Sequence, residues 1–112
     1  MKKIEAVIRP ERLEAVLGEL RGLSYPGVTV TEVRGHGRQK GVTKMWRGSE
    51  YRLEFLPKLK LEVVVLDEDL AKVIRALIRA GRTGATGDGK IFVYEVADAV
   101  RIRTGESGFQ AI

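Results

Sequence analysis

At 112 residues the chain is long enough for one domain, spanning 1–112, and argues against two. Its 44% hydrophobic and 31% charged residues suit a globular protein, and a net charge of +5 with a pI near 9.7 favours anionic partners: nucleic acid, membrane surface, phosphates or carboxylates. The absence of cysteine excludes disulfides, thiolate metal sites and cysteine nucleophiles, and a single histidine, His36, leaves no His-rich zinc site and makes a Ser-His-Asp triad unpromising.

In chain order, Ile4, Ala6 and Ile8 alternate with Glu5 and Val7, the period of a strand with one buried face. Pro10 suits the first turn of a helix, and Leu13, Val16, Leu17, Leu20 and Leu23 recur at helical spacing. The turn Ser24-Tyr25-Pro26-Gly27 stops that helix, and Val28, Val30 and Val33 with Thr29 and Thr31 make a second strand. Residues 36–55 show neither helical nor strand periodicity and carry Arg38, Lys40, Lys44, Arg47 and Arg52. A loop of that length in a small domain is usually functional or mobile. Leu59, Leu61, Val63 and Val65 alternate as a third strand. Asp67-Glu68-Asp69 then places acid at the positive end of a second helix whose stripe is Leu70, Val73, Ile74, Leu77 and Ile78, with Gly81 as its cap. A glycine-rich loop over 82–90 leads to a fourth strand at 91–96, and Val100-Arg101-Ile102-Arg103 alternates once more. The order βαββαβ is the split βαβ pattern of an α+β, ferredoxin-like sandwich, with both helices on one sheet face and the other face open to a second subunit. No apolar run approaches the roughly 20 residues that span a bilayer, and Glu5 and Arg9 interrupt any signal-peptide core, so a cytoplasmic location is expected.

Three constellations could carry chemistry. In Gly84-Ala85-Thr86-Gly87-Asp88-Gly89-Lys90, glycines let backbone N–H groups approach an anion and Lys90 adds a charge. This suits a phosphate cradle, although the same residues also read as a plain helix-to-strand turn. It is not a Walker A loop, since a strand follows where that motif needs a helix. Arg101 and Arg103, two apart on a strand, would share a face and repel unless an anion lay between them; a solvated edge strand is the alternative. Gly35-His36-Gly37-Arg38-Gln39-Lys40-Gly41 could also wrap an anion, with His36 read as an exposed loop residue. Trp46 and Tyr51, either side of Arg47-Gly48-Ser49-Glu50, could anchor a partner or fold back onto the core.

The segment Trp46-Arg47-Gly48-Ser49-Glu50-Tyr51 resembles the first signature of the PII nitrogen-signalling family, and Thr83 through Val96, with Gly87-Asp88-Gly89-Lys90-Ile91-Phe92, resembles the second. Thr29-Val30-Thr31-Glu32-Val33, Gly37-Arg38-Gln39-Lys40-Gly41 and Arg101-Ile102-Arg103-Thr104-Gly105-Glu106 match too, so the likeness runs essentially the whole length. It implies a non-enzymatic trimer that binds ATP or ADP in each intersubunit cleft, and 2-oxoglutarate together with MgATP. A long T-loop, about 37–55, would dock onto ammonium transporters and other nitrogen-metabolism proteins. By the family pattern Gly87, Asp88, Gly89, Lys90, Arg101, Arg103 and Arg38 lie at the phosphates, while Thr29, Gly35, Glu62 and Val64 surround adenine and ribose. Gln39 would ligate Mg²⁺ beside 2-oxoglutarate, and Lys58 would pair with its distal carboxylate. Gly37, Lys40, Gly41 and Gly87 complete that pocket, Gly37 serving the nucleotide as well. Tyr51 matches a uridylylated tyrosine, Ser49 a phosphorylated serine and Arg47 the arginine that plugs transporter pores. The pattern is broken at Trp46, where tyrosine is usual, and at His36, where phenylalanine is common; neither is an inferred ligand.

Two other classes suit the charge or the fold. A ferredoxin-like nucleic-acid-binding module would need strand aromatics that stack bases, and the strand patterns lack them. An acylphosphatase-type enzyme would need a catalytic asparagine, and the chain has none.

Overall fold

The computed structural model describes residues 1–36 and 55–112 in full and the backbone of 43–46 and 49–52. Strand β1 (Lys2–Ile8) buries Ile4, Ala6 and Ile8, the alternation its sequence requires. A 3-10 turn at Pro10–Arg12 leads into α1 (Leu13–Gly22), which turns Val16 and Leu20 inward. The helix closes in a Schellman arrangement: Tyr25 N donates to Leu20 O (2.8 Å) and Ser24 N to Arg21 O (3.0 Å), with Ser24 at φ +67°. Strand β2 (Thr29–Gly35) follows. Strand β5 (Leu56–Val65) buries Leu61, Val63 and Val65, and α2 (Leu70–Gly81) buries Val73, Ala76, Leu77 and Ala80. Strand β6 (Lys90–Glu95) ends the sheet.

The four strands run antiparallel in the order β2-β5-β1-β6, the ferredoxin-like arrangement expected from the sequence. Register sets the layers. Ile4 lies opposite Val63 and Ala6 opposite Leu61, so these side chains share the face that packs on both helices. Each large apolar side chain buried there stabilises the fold by about 1.5–3 kcal/mol. The opposite face carries Lys3, Glu5, Val7, Lys60, Glu62, Val64, Phe92 and Tyr94 by the same alternation. Glu5 and Glu62 stand directly opposite each other, a repulsive pairing offset by Lys3 Nζ at 2.7 Å from Glu62 Oε2. Lys3 also lies over the Tyr94 ring at 5.5 Å.

Three elements differ from the sequence reading. Strand β5 starts two residues before Lys58, at Leu56, and so takes in Pro57. Within 36–55, β3 (Thr43–Trp46) pairs with β4 (Ser49–Arg52) as an antiparallel hairpin. Backbone pairing by itself needs no apolar alternation, and the sequence there has none for periodicity to find. The third difference lies at 100–103, where there is no strand. Val100 forms an isolated bridge with Ser107, Arg101 N donates to Glu106 O (2.8 Å) and Gly105 N to Arg101 O (2.8 Å), a tight turn with Gly105 at φ +73°. The expectation that Arg101 and Arg103 share a strand face is therefore wrong: four alternating residues are too few to hold a strand against Thr104-Gly105 turn chemistry. Among the described residues no helix is long and apolar enough to cross a membrane.

Candidate functional site

The glycine-rich segment leaves α2 at Gly81 and returns to the sheet at Lys90, and Asp88 organises it. Asp88 Oδ2 accepts from the backbone N–H of Thr83 and of Gly84, each at 2.8 Å, while Oδ1 accepts from the Thr83 hydroxyl (2.5 Å) and from Arg9 Nε (3.0 Å). These donors, the Thr83 hydroxyl foremost and then the Arg9 guanidinium, hold the Asp88 carboxyl far below its ordinary range. Arg9 also donates from Nη2 to Thr86 O at 2.9 Å. Three glycines take left-handed backbone: Gly84 (φ +93°), Gly87 (φ +104°) and Gly89 (φ +101°). At Gly89 a Cβ would stand 1.7 Å from the Val7 carbonyl oxygen, so the loop lies directly on β1 and only glycine fits.

Lys58 joins the loop from the sheet. Its side chain is buried, and Nζ donates to Gly87 O at 2.6 Å. Burial first, and the nearby Arg9 charge second, lower its pKa from the usual lysine value. Gly35 makes room for it, since a Cβ there would lie 3.0 Å from Lys58 Cγ. A cleft of about 630 Å³ opens above these groups, lined by Val7, Gly35, Lys58, Gly87, Gly89 and Lys90 among others. His36 is at its edge, exposed, with its ring 5.2 Å from that of Phe55.

The structure thus brings together Gly35, Lys58, Gly87, Asp88, Gly89 and Lys90 of the expected residues. It does not bring in Thr29, Glu62 and Val64. Thr29 pairs with Glu62, and Glu62 is four steps along β5 from Lys58, about 13 Å. Nor does it bring in Arg101 and Arg103. Lys90 starts β6 opposite Val7, whereas the far end of β6 lies beside Met1, where Val96 N donates to Met1 O (3.1 Å), and both arginines follow from there. Arg101 contacts Glu106 at 3.5 Å and Arg103 is exposed. Gly37, Arg38, Gln39, Lys40, Gly41 and Arg47 lie outside the described residues. So do the side chains of Trp46, Ser49 and Tyr51, of which only the backbone pairing is given: Trp46 with Ser49 and Tyr51 with Lys44.

Sequence reasoning missed Arg9 as part of this site and gave Thr83 and Thr86, though inside the loop it singled out, no role of their own. Arg9 is 79 residues from Asp88, and no local pattern announces a contact at that separation. Among the described residues no three metal-ligating side chains gather. The described cleft thus joins a glycine-rich loop to a buried lysine in a ferredoxin-like domain.

Comparison with known proteins gives the family. Residues 1–106 match the family model described as Nitrogen regulatory protein P-II. The chain is 56% identical over 112 residues to the Nitrogen regulatory protein P-II of Haemophilus influenzae and 54% identical to that of Rhizobium meliloti, covering the full length of each. It is 53% identical to the Nitrogen regulatory protein P-II 2 of Methanothermobacter thermautotrophicus, with all of this chain and 97% of that one aligned. The chain belongs to the P-II family, whose members are signal-transduction regulators of nitrogen metabolism and not enzymes.

Proposed function

We propose that this protein is a sensor that binds ATP or ADP on the glycine-rich loop and 2-oxoglutarate beside it when MgATP is bound. It reports their occupancy through a T-loop at about 37–55. The observation that carries this reading is the placement of Lys58 against Gly87 O, in one cleft with Gly89 and Lys90. That cleft offers a cation for a carboxylate immediately beside backbone suited to phosphate. Asp88 contributes through its backbone, because its carboxylate is already satisfied by four donors.

Mg²⁺ fits this site only as a companion of the nucleotide. Asp88 is the one acidic side chain among the described cleft residues and it is fully engaged, so a bare cation finds no carboxylate there. Phosphate oxygens would supply the hard ligands the ion requires, and Gln39 a neutral carbonyl. With two anionic ligands side by side, the ion offsets their repulsion. Gly37, Arg38, Lys40 and Gly41 would close the same pocket.

Thr29, Glu62, Val64, Arg101 and Arg103 lie outside the lining of this cleft. They form the second half of a site that is completed between copies, as in the trimer the family likeness implies. The exposed sheet face, with Phe92 and Tyr94 at 46% and 47% exposure, would be covered by that assembly. In the cytoplasm the T-loop would dock onto ammonium transporters and other targets, with Arg47 at the contact and Tyr51 or Ser49 open to uridylylation or phosphorylation. A nucleic-acid module is not favoured, because Glu5 and Glu62 occupy the centre of the sheet face where phosphates would lie.

Calorimetric titration of 2-oxoglutarate tests the reading. Binding is expected with MgATP, and barely any with no nucleotide, with ADP, or with ATP plus chelator; Gln39→Ala should abolish it while sparing ATP. Equal binding without Mg²⁺ and ATP would rule out the metal-bridged pocket.

A further inference from the structure

Arg9 is an unusual neighbour for a phosphate-binding loop, because its guanidinium faces the loop's own groups. It extends from the end of β1, its side chain is 15% exposed, and it makes two separate contacts across the loop, to Asp88 Oδ1 and to Thr86 O. Asp88, 23% exposed, transmits the first contact to the N–H groups of Thr83 and Gly84 and to the Thr83 hydroxyl. The loop is therefore tied at its entry (83–84), its middle (86) and its exit (88), and both the middle and exit ties run to Arg9. Gly84, Gly87 and Gly89 leave the backbone otherwise free to sample many conformations. Without Arg9, Asp88 would also present an uncompensated negative charge next to the proposed phosphate position.

We propose that Arg9 is a positioning residue for nucleotide binding: through Asp88 and Thr86 it holds the 83–89 loop in its binding form and offsets the Asp88 charge. The inference rests on the reading of this loop as the nucleotide site. It separates two roles that a basic residue can play there. A residue that meets phosphate as a charge can be replaced by lysine. A residue that must span Asp88 Oδ1 and Thr86 O with a planar fork cannot.

The experiment measures ATP binding by calorimetry for the wild type, Arg9→Met, Arg9→Lys, Asp88→Asn, Thr83→Val and the double variant Arg9→Met/Asp88→Asn. Hydrogen exchange at the Thr83 and Gly84 amides is followed in the nucleotide-free proteins. Arg9→Met should weaken ATP about tenfold or more, as for a lost charge-assisted contact, and Arg9→Lys should not restore it. Exchange at both amides should accelerate in every variant. The double variant should be no weaker than about the worse single one, because the two residues act as a unit. Thr83→Val, which removes one donor to Asp88 and leaves Arg9 in place, keeps the test informative if Arg9→Met folds poorly. It should show the same direction with smaller size. Wild-type affinity in Arg9→Lys, or weakened ATP with unchanged amide exchange in Arg9→Met, would make Arg9 a direct phosphate contact and overturn the proposal. ATP binding by wild type together with unaltered binding by all variants overturns this inference alone, whereas no binding by wild type overturns the nucleotide reading itself.

Discussion

Gly89 is the residue at which the site is least negotiable. Its φ of +101° and the Val7 oxygen 1.7 Å from any Cβ mean that Gly89→Ala must push the loop off β1. A loss of about 3 kcal/mol or more in chemical denaturation is expected. Gly84→Ala, at φ +93° but facing open space, should cost only about 1 kcal/mol by the same measurement. Asp88 makes a prediction in pH. Its folded pKa lies far below the ordinary 3.8, so its contribution is fully present at neutral pH and is lost as pH falls through and below that value. Asp88→Asn should be less stable than wild type at neutral pH and converge on it in acid, which stability measured against pH will show. At this scale the glycines and Lys90 were legible in the sequence because they are contiguous. Arg9 and Lys58 were not legible as loop supports, since each reaches the loop from a strand distant in sequence.

At the level of elements, the strands and helices with one buried face were legible because burial imposes a period on them. Ile4, Ala6 and Ile8 alternate against Leu61 and Val63, and Val73 and Leu77 recur at one helical turn. The β3–β4 hairpin pairs through its backbone without any such period in its sequence. Where the segment is short, as at 100–103, turn chemistry overrides it. The end of α1 shows a local rule in mild conflict with its residue. The Schellman position C′ requires left-handed backbone, and Ser24 adopts it at φ +67° with its side chain exposed. Ser24→Gly should relieve that conflict and raise stability by about 0.5–1 kcal/mol, read as a higher denaturant midpoint with an unchanged slope.

For the whole molecule, the expected site residues fall into two groups, of which only one lines the described cleft. Gly35, Lys58 and 87–90 line it; Thr29 and Glu62, paired across β2 and β5, Val64, and the turn bearing Arg101 and Arg103 do not. Sequence order gives no hint of this separation, because only the antiparallel register fixes which end of β6 each loop leaves. On the proposed reading, a nucleotide that uses both groups sits between two copies. Subunit complementation tests this most directly. Lys90→Ala and Arg103→Ala proteins, each weakened by roughly 2 kcal/mol or more in ATP binding, are unfolded together, refolded at equal ratio and titrated with ATP. A shared intersubunit site predicts that high-affinity binding returns at about a quarter of the wild-type sites, one intact cleft in each mixed trimer. No recovery of high-affinity sites in the refolded mixture would contradict the account.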